Sequence, residues 1–182
     1  MPETSDRQLL DAWRAGDKAA GEALVARHWA AIARFFRSKI GDDGADLISQ
    51  TFLACVQTKD PVEHVTAFLF AVARRRLADH FRERARTPEL DLARSSLVDL
   101  GTGPVTAAAR RQRADQLRDA LPKIPLDDQI AIELAYLEGM PLRDVATVLE
   151  VEENTVRSRL ARAKAKLRDL LGAEPPEIAG EK

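Results

Sequence analysis

Cysteine is nearly absent from this 182-residue chain, with Cys55 standing alone. A single thiol cannot close an internal disulfide or build a cysteine-based zinc site. It lies on an apolar helical stretch and reads as a small core residue. Long apolar runs are missing too. The longest candidate, Ala67 to Ala73, is far shorter than the roughly 20 residues a membrane-spanning helix needs. The N-terminal MPETSDRQLL has no basic region followed by an apolar one. No signal peptide or membrane insertion is therefore expected, and the cytoplasm is the expected compartment. Strand-like alternation and internal repeats are lacking. His28, His64 and His80 are scattered, with no carboxylate cluster or glycine-rich phosphate loop beside them. Neither an enzyme nor a cofactor or metal site is expected.

What the chain does have is helical periodicity and concentrated charge. The whole sums to −1, yet residues 153–169 hold six basic and two acidic side chains. Residues 74–86 hold six arginines against Asp79 and Glu83. Each block is +4, so the remainder is −9. Two basic stripes on an otherwise acidic protein point to local phosphate contacts, with part of the affinity supplied by another molecule.

In chain order, Ser5 or Asp6 caps a first helix carrying Leu9, Leu10 and Trp13 and ending near Gly16. A longer helix spans about Lys18 to Ile40, with Ala23, Leu24, His28, Ile32, Phe35 and Phe36 as its apolar face; His28 and Trp29 read as packing residues. Gly41-Asp42-Asp43-Gly44 is a stop and restart signal. In the helix from Ala45 to Thr58, Ile48, Phe52, Cys55 and Val56 point one way. Asp46, Ser49, Gln50, Leu53 and Gln57 point the other way, a small docking face around a leucine or a merely solvated one. A loop from Lys59 to His64 precedes a helix from Val65 to Arg86. Phe68, Leu69, Val72, Leu77 and Phe81 cover its packed side, and Arg75, Asp79, Arg82 and Arg86 line another face.

Composition shifts between Thr87 and Thr106, and a flexible linker is expected there. Helix resumes near Val105 and runs to Leu121, where Pro122 and Pro125 break it. Asp127 or Asp128 starts a helix through Leu137, and Pro141 suits the first turn of the next. Leu142, Val145, Ala146 and Leu149 form a short apolar stripe. After a turn at Glu150 to Glu153, Val156, Leu160, Ala163, Leu167 and Leu170 form a longer one. The face opposite carries Asn154, Ser158, Ala161, Arg162 and Ala165, flanked by Thr155 and Arg157. Two such helices read as a helix-turn-helix whose second member enters the major groove, where arginine bonds twice to one guanine. A solvated amphipathic pair is the alternative. The fold class is thus all-α: two small helical domains (1–87 and 112–172), a linker at 88–111 and a disordered tail at 173–182.

Two blocks resemble the bacterial sigma-70 family, in its compact extracytoplasmic-function group. Asp46-Leu47-Ile48-Ser49-Gln50-Thr51-Phe52 with Ala67 to His80 is similar to the family's second conserved region, which docks on the RNA polymerase clamp helices and opens the −10 element. Leu121-Pro122, Tyr136 to Gly139, Asp144 to Ala146 and Thr155 to Ala163 are similar to its fourth region, which reads the −35 element. The resemblance implies core RNA polymerase and promoter DNA as partners, with an anti-sigma factor as a further one. It implies polymerase docking by Asp46, Ser49, Gln50 and Leu53, and −10 strand binding by Lys59, His64, Arg74, Arg75 and Arg82. Thr155, Arg157, Ser158, Ala161 and Arg162 are then the −35 residues.

The chain departs from the pattern at Ser49-Gln50 (usually Gln-Glu), Phe68 (often tryptophan), Arg75 (asparagine), Pro141 (serine) and Glu150 (glycine). Glu152 to Asn154 replace the usual Pro-x-Gly. Carboxylates there suit the helix dipole but repel DNA phosphates, so weaker or altered upstream binding is expected with the fold intact. Two rival readings, a helix-turn-helix regulator that is not a polymerase subunit and a helical adaptor without a nucleic-acid role, leave one or both blocks unexplained.

Overall fold

Leu10, Leu24, Ile32, Phe36, Leu69, Phe70 and Leu77 are the largest fully buried side chains of the first unit, and they come from three different helices. The computed structural model describes residues 4–86 and 120–171, which belong to two separate units. The first contains α1 (Asp6–Arg14), α2 (Lys18–Ile40), α3 (Ala45–Gln57) and α4 (Val65–Arg86).

The starts of α1 and α2 and the end of α2 have local causes. Ser5 caps α1 in a reciprocal box: its hydroxyl accepts from the Gln8 amide while the Gln8 side chain accepts from the Ser5 amide. Asp17 caps α2 through the Ala19 and Ala20 amides. Gly41, at φ 68°, closes α2 and leads through a 3-10 turn (Gly41–Gly44) directly into α3. Gly21 lets α1 and α2 approach: a Cβ there would sit 2.5 Å from the Trp13 indole. Asp6 then ties the two helices together, pairing with His28 at 2.7 Å and Arg27 at 2.5 Å. Phe35 meets Phe36 and Phe70 edge-on, with centroids 5.5 and 5.6 Å apart. Each such ring removed from water contributes about 1.5–3 kcal/mol.

The second unit runs from a 3-10 turn (Leu121–Lys123) through α5 (Leu126–Ile132) and a π turn (Glu133–Leu137) to α6 (Leu142–Leu149) and α7 (Glu153–Leu171). Ile130, Leu134, Val145, Val148, Leu149 and Val156 are buried. Ala120, Leu121 and Ile124 pack on Ala163 and Leu167, with Ile132, Leu137 and Leu171 alongside. Gly139, at φ 62°, supplies the left-handed residue that ends the π turn, and the Met140 amide reaches back to the Leu134 carbonyl at 2.9 Å.

Several expectations change. The helix expected from Asp127 or Asp128 to Leu137 starts at Leu126 behind Pro125, and its last turn slips into π register, with Glu138 donating to the Glu133 carbonyl at 3.0 Å. A one-residue slip leaves hydrophobic spacing nearly unaltered, so periodicity does not reveal it. Pro141 is the residue before α6, not its first turn. Leu170 is exposed and Leu171 packs instead, because the stripe drifts around the helix over four turns. Ala23 is exposed, and Leu142 is only half-buried, whereas Thr51, Phe70 and Val148 are core. Trp29 is 46% exposed rather than interior, although one face stacks on Phe52 at 6.2 Å. The helix expected at 105–121 lies outside the described residues except at its end, Ala120 and Leu121, and so do the linker and the tail.

Candidate nucleic-acid interface

The turn between α6 and α7 is a tight left-handed cap. Glu150 sits at φ 57°, ψ 45°, its amide donating to the Thr147 carbonyl at 3.3 Å and the Val151 amide to Ala146 at 3.0 Å. The chain re-enters helix at once, the Thr155 and Val156 amides both donating to the Glu152 carbonyl. Val156, Leu160, Ala163 and Leu167 then face the core. Arg157, Ser158, Ala161 and Arg162 are exposed on the other side, with Thr155 half-buried. Four of the five residues expected to meet the −35 element are thus exposed on α7, with Thr155 half-buried at their edge.

Carboxylates accompany the arginines of that helix. Arg157 pairs with Glu153 one turn earlier. Arg159 pairs with Asp127 at 2.9 Å and Arg162 with Asp128 at 3.3 Å, both on α5. The Arg159 side chain is largely covered, so its pairing serves packing between helices. Lys164 lies over the Tyr136 ring at 4.8 Å, where the ring face attracts its charge. The Ser158 hydroxyl donates to the Thr155 carbonyl, which leaves its lone pairs for an outside donor.

In the first unit, Asp46, Ser49, Gln50 and Leu53 share the outer face of α3, and Leu53 is 52% exposed. Lys59 and His64 are exposed in the loop that follows, where Val62 is the buried anchor. Arg14 ties the end of α3 to that loop. Its Nε and Nη2 donate to the Cys55 carbonyl at 3.1 and 2.9 Å, and Nη1 donates to the Asp60 carbonyl at 3.4 Å. The same guanidinium lies near the Cys55 thiol, but burial outweighs its pull and raises that pKa from 9.0 to about 12. Arg75 and Arg82 are exposed on α4, and Arg74 is half-buried; Arg82 pairs with Asp79 at 2.5 Å. A groove between α3 and α4 brings Leu47 and Gln50 opposite Arg76, Arg82 and Arg86.

Sequence reasoning missed three kinds of participant: Arg14 as loop clamp, Trp29 as exposed surface, and Asp127 and Asp128 as arginine partners. None carries a local motif. Each is defined by a contact across at least 20 residues of sequence or by exposure alone. No group of three or more metal-ligating side chains is assembled among the described residues, and none of their helices is long and apolar enough to cross a membrane.

Residues 100–167 match the family described as Sigma-70, region 4. The extracytoplasmic-function (ECF) RNA polymerase sigma factor SigM of Mycobacterium tuberculosis is 30% identical over 175 residues, covering 93% of this chain and 86% of SigM. CnrH of Cupriavidus metallidurans, an RNA polymerase sigma factor, is 30% identical over 188 residues, covering 95% of this chain and 97% of CnrH. This chain is an ECF sigma factor. The structure of CnrH in complex with the cytosolic domain of CnrY is similar at a TM-score of 0.68, with 27% identity and coverage of 93% and 99%. The fold is also that of the sigma factor RpoE from Bartonella quintana, at TM-score 0.69 and 21% identity, covering 85% of this chain and 98% of that one.

Family membership removes both rival readings, since it assigns the two blocks together to one initiation factor. The departures of this sigma factor from its family's pattern acquire a geometry as well. Glu150 does hold the left-handed conformation that glycine usually fills, at a cost of about 1 kcal/mol or more. Glu152 is exposed just before α7, and Glu153 at its start is held against Arg157.

Proposed function

We propose that this ECF sigma factor directs promoter-specific initiation through three surfaces. The α3 face of Asp46, Ser49, Gln50 and Leu53 docks on core RNA polymerase. The loop containing Lys59 and His64, with Arg74, Arg75 and Arg82, holds the displaced −10 strand; cations there offset phosphate repulsion. Thr155, Arg157, Ser158, Ala161 and Arg162 lie in the major groove of the −35 element. The observation that carries this reading is α7 itself: a buried Val156, Leu160, Ala163, Leu167 stripe, with Asn154, Ser158, Ala161, Arg162 and Ala165 exposed on the opposite face.

We place the functional boundaries at 1–87 for polymerase and −10 binding and 112–172 for −35 binding. The intervening 88–111 acts as linker and 173–182 as tail, and the cytoplasm is the site of action. RpoE of Bartonella quintana was solved with the anti-sigma factor NepR. A comparable inhibitory partner is proposed for this chain.

Reconstitution is the test. Core polymerase mixed with the protein is expected to start transcription at a discrete set of sites in a genomic promoter library. A protein that neither co-purifies with core nor activates any promoter would overturn the assignment.

A further inference from the structure

Asp128 is the third residue of α5, with its side chain only 7% exposed, and its carboxylate meets α7 at Arg162. Its partner is Nη2 of Arg162, at 3.3 Å, whose own side chain is 67% exposed. A buried carboxylate needs a donor, so it holds one corner of that guanidinium in place. The neighbouring Asp127 and Arg159 form a second ion pair between the start of α5 and α7, at 2.9 Å. A guanidinium offers five donors in a planar fork, and one bond to Asp128 leaves donors on both terminal nitrogens for an acceptor outside.

We propose that Asp128 is a positioning residue for −35 recognition: it orients the Arg162 guanidinium before DNA arrives, so that the fork meets two acceptors of one base. This rests on the reading of Arg162 as a −35 base contact. An arginine free to swing would lose that rotamer freedom on binding and tolerate more than one base, whereas a held one loses less and discriminates more.

The experiment measures holoenzyme binding to a library with a randomised −35 element, for the natural protein, Asp128→Asn, Arg162→Ala and the double variant. Asp128→Asn is expected to weaken preference about threefold or more at the one position that Arg162→Ala relaxes. Preference elsewhere should stay unchanged, and the substitution should add nothing in the Arg162→Ala background. A loss spread evenly over all positions would mean that Asp128 only supports the fold, and the proposal fails. Tighter binding with preference intact would mean that Asp128 competes with DNA for Arg162, which also overturns it. If Arg162→Ala alone changes no preference, the −35 reading of that face fails first and this proposal with it. Should Asp128→Asn not fold by circular dichroism, Asp128→Glu displaces the guanidinium while keeping the charge, and the same outcomes apply.

Discussion

Glu150 carries a backbone strain that its side chain cannot relieve. At φ 57° the Cβ crowds the following carbonyl, and glycine avoids this. Glu150→Gly is expected to stabilise the 120–171 unit by up to about 1 kcal/mol, read from urea unfolding midpoints. Two residues further on, Glu152 is exposed just before α7 begins. Glu152→Gln should tighten promoter binding evenly across −35 sequences, because it relieves repulsion and removes no base contact. A change confined to one base position would contradict that. Cys55 makes the pH prediction. Its folded pKa of about 12 lies above the ordinary 9.0, so the native state keeps a proton that the unfolded chain releases. Stability from this group is complete below pH 9 and declines as pH rises toward 12. Cys55→Ala should flatten that part of the stability profile, although it lowers overall stability by removing a buried side chain.

At the scale of elements, one arginine from α1 ties the loop after α3 to the last turn of that helix, beside the buried Val62. Three bonds from Arg14 to the Cys55 and Asp60 carbonyls span more than 40 residues of sequence. A charged hydrogen bond contributes about 1.5–3 kcal/mol when shielded from water, and the exposed bond to Asp60 contributes less. Arg14→Ala should therefore raise amide hydrogen exchange through residues 58–64 while α2 and α4 keep their protection. In the holoenzyme it should slow opening at the −10 element more than it weakens polymerase binding, measured by permanganate reactivity of displaced thymines. Unchanged exchange in the loop would show that Val62 alone anchors it. The sequence offers Ser5 or Asp6 as the cap of α1, and the structure selects Ser5, with Gln8 closing the box. The Arg14 clamp has no such signal, since nothing near Arg14 in the sequence marks the carbonyls it reaches.

For the whole molecule, two units with separate cores should respond separately to damage. Leu134→Ala, in the core of the second unit, should cost about 2–5 kcal/mol there. The unfolding transition of the first unit should stay unchanged, as followed by segment-resolved hydrogen exchange. Brief proteolysis is expected to cut first between Pro88 and Thr106. A single resistant fragment crossing that interval, with no partner bound, would contradict the boundaries proposed above. Charge also acts at this scale. The +4 of residues 153–169 overstates what DNA meets, because Arg159 and Arg162 are paired with Asp127 and Asp128 from outside that window. A salt slope for −35 binding nearer two or three than six is the expected measurement.

The sequence by itself determined the helices and the two blocks. Periodicity, the Gly41 to Gly44 stop and restart and a cap at Ser5 or Asp6 are local signals, and they set α1 to α4 nearly to the residue. The outward faces of α3 and α7 followed from the same wheel, because a helix that buries one stripe must show the opposite one. Tertiary structure alone decided whatever depends on distance across the fold. It paired Asp127 and Asp128 with Arg159 and Arg162, tied Arg14 to the end of α3 and the loop, left Trp29 at the surface, and slipped 133–137 into π register. A side chain's periodicity records which way it faces from its own helix, whereas its partner is set by how two helices pack.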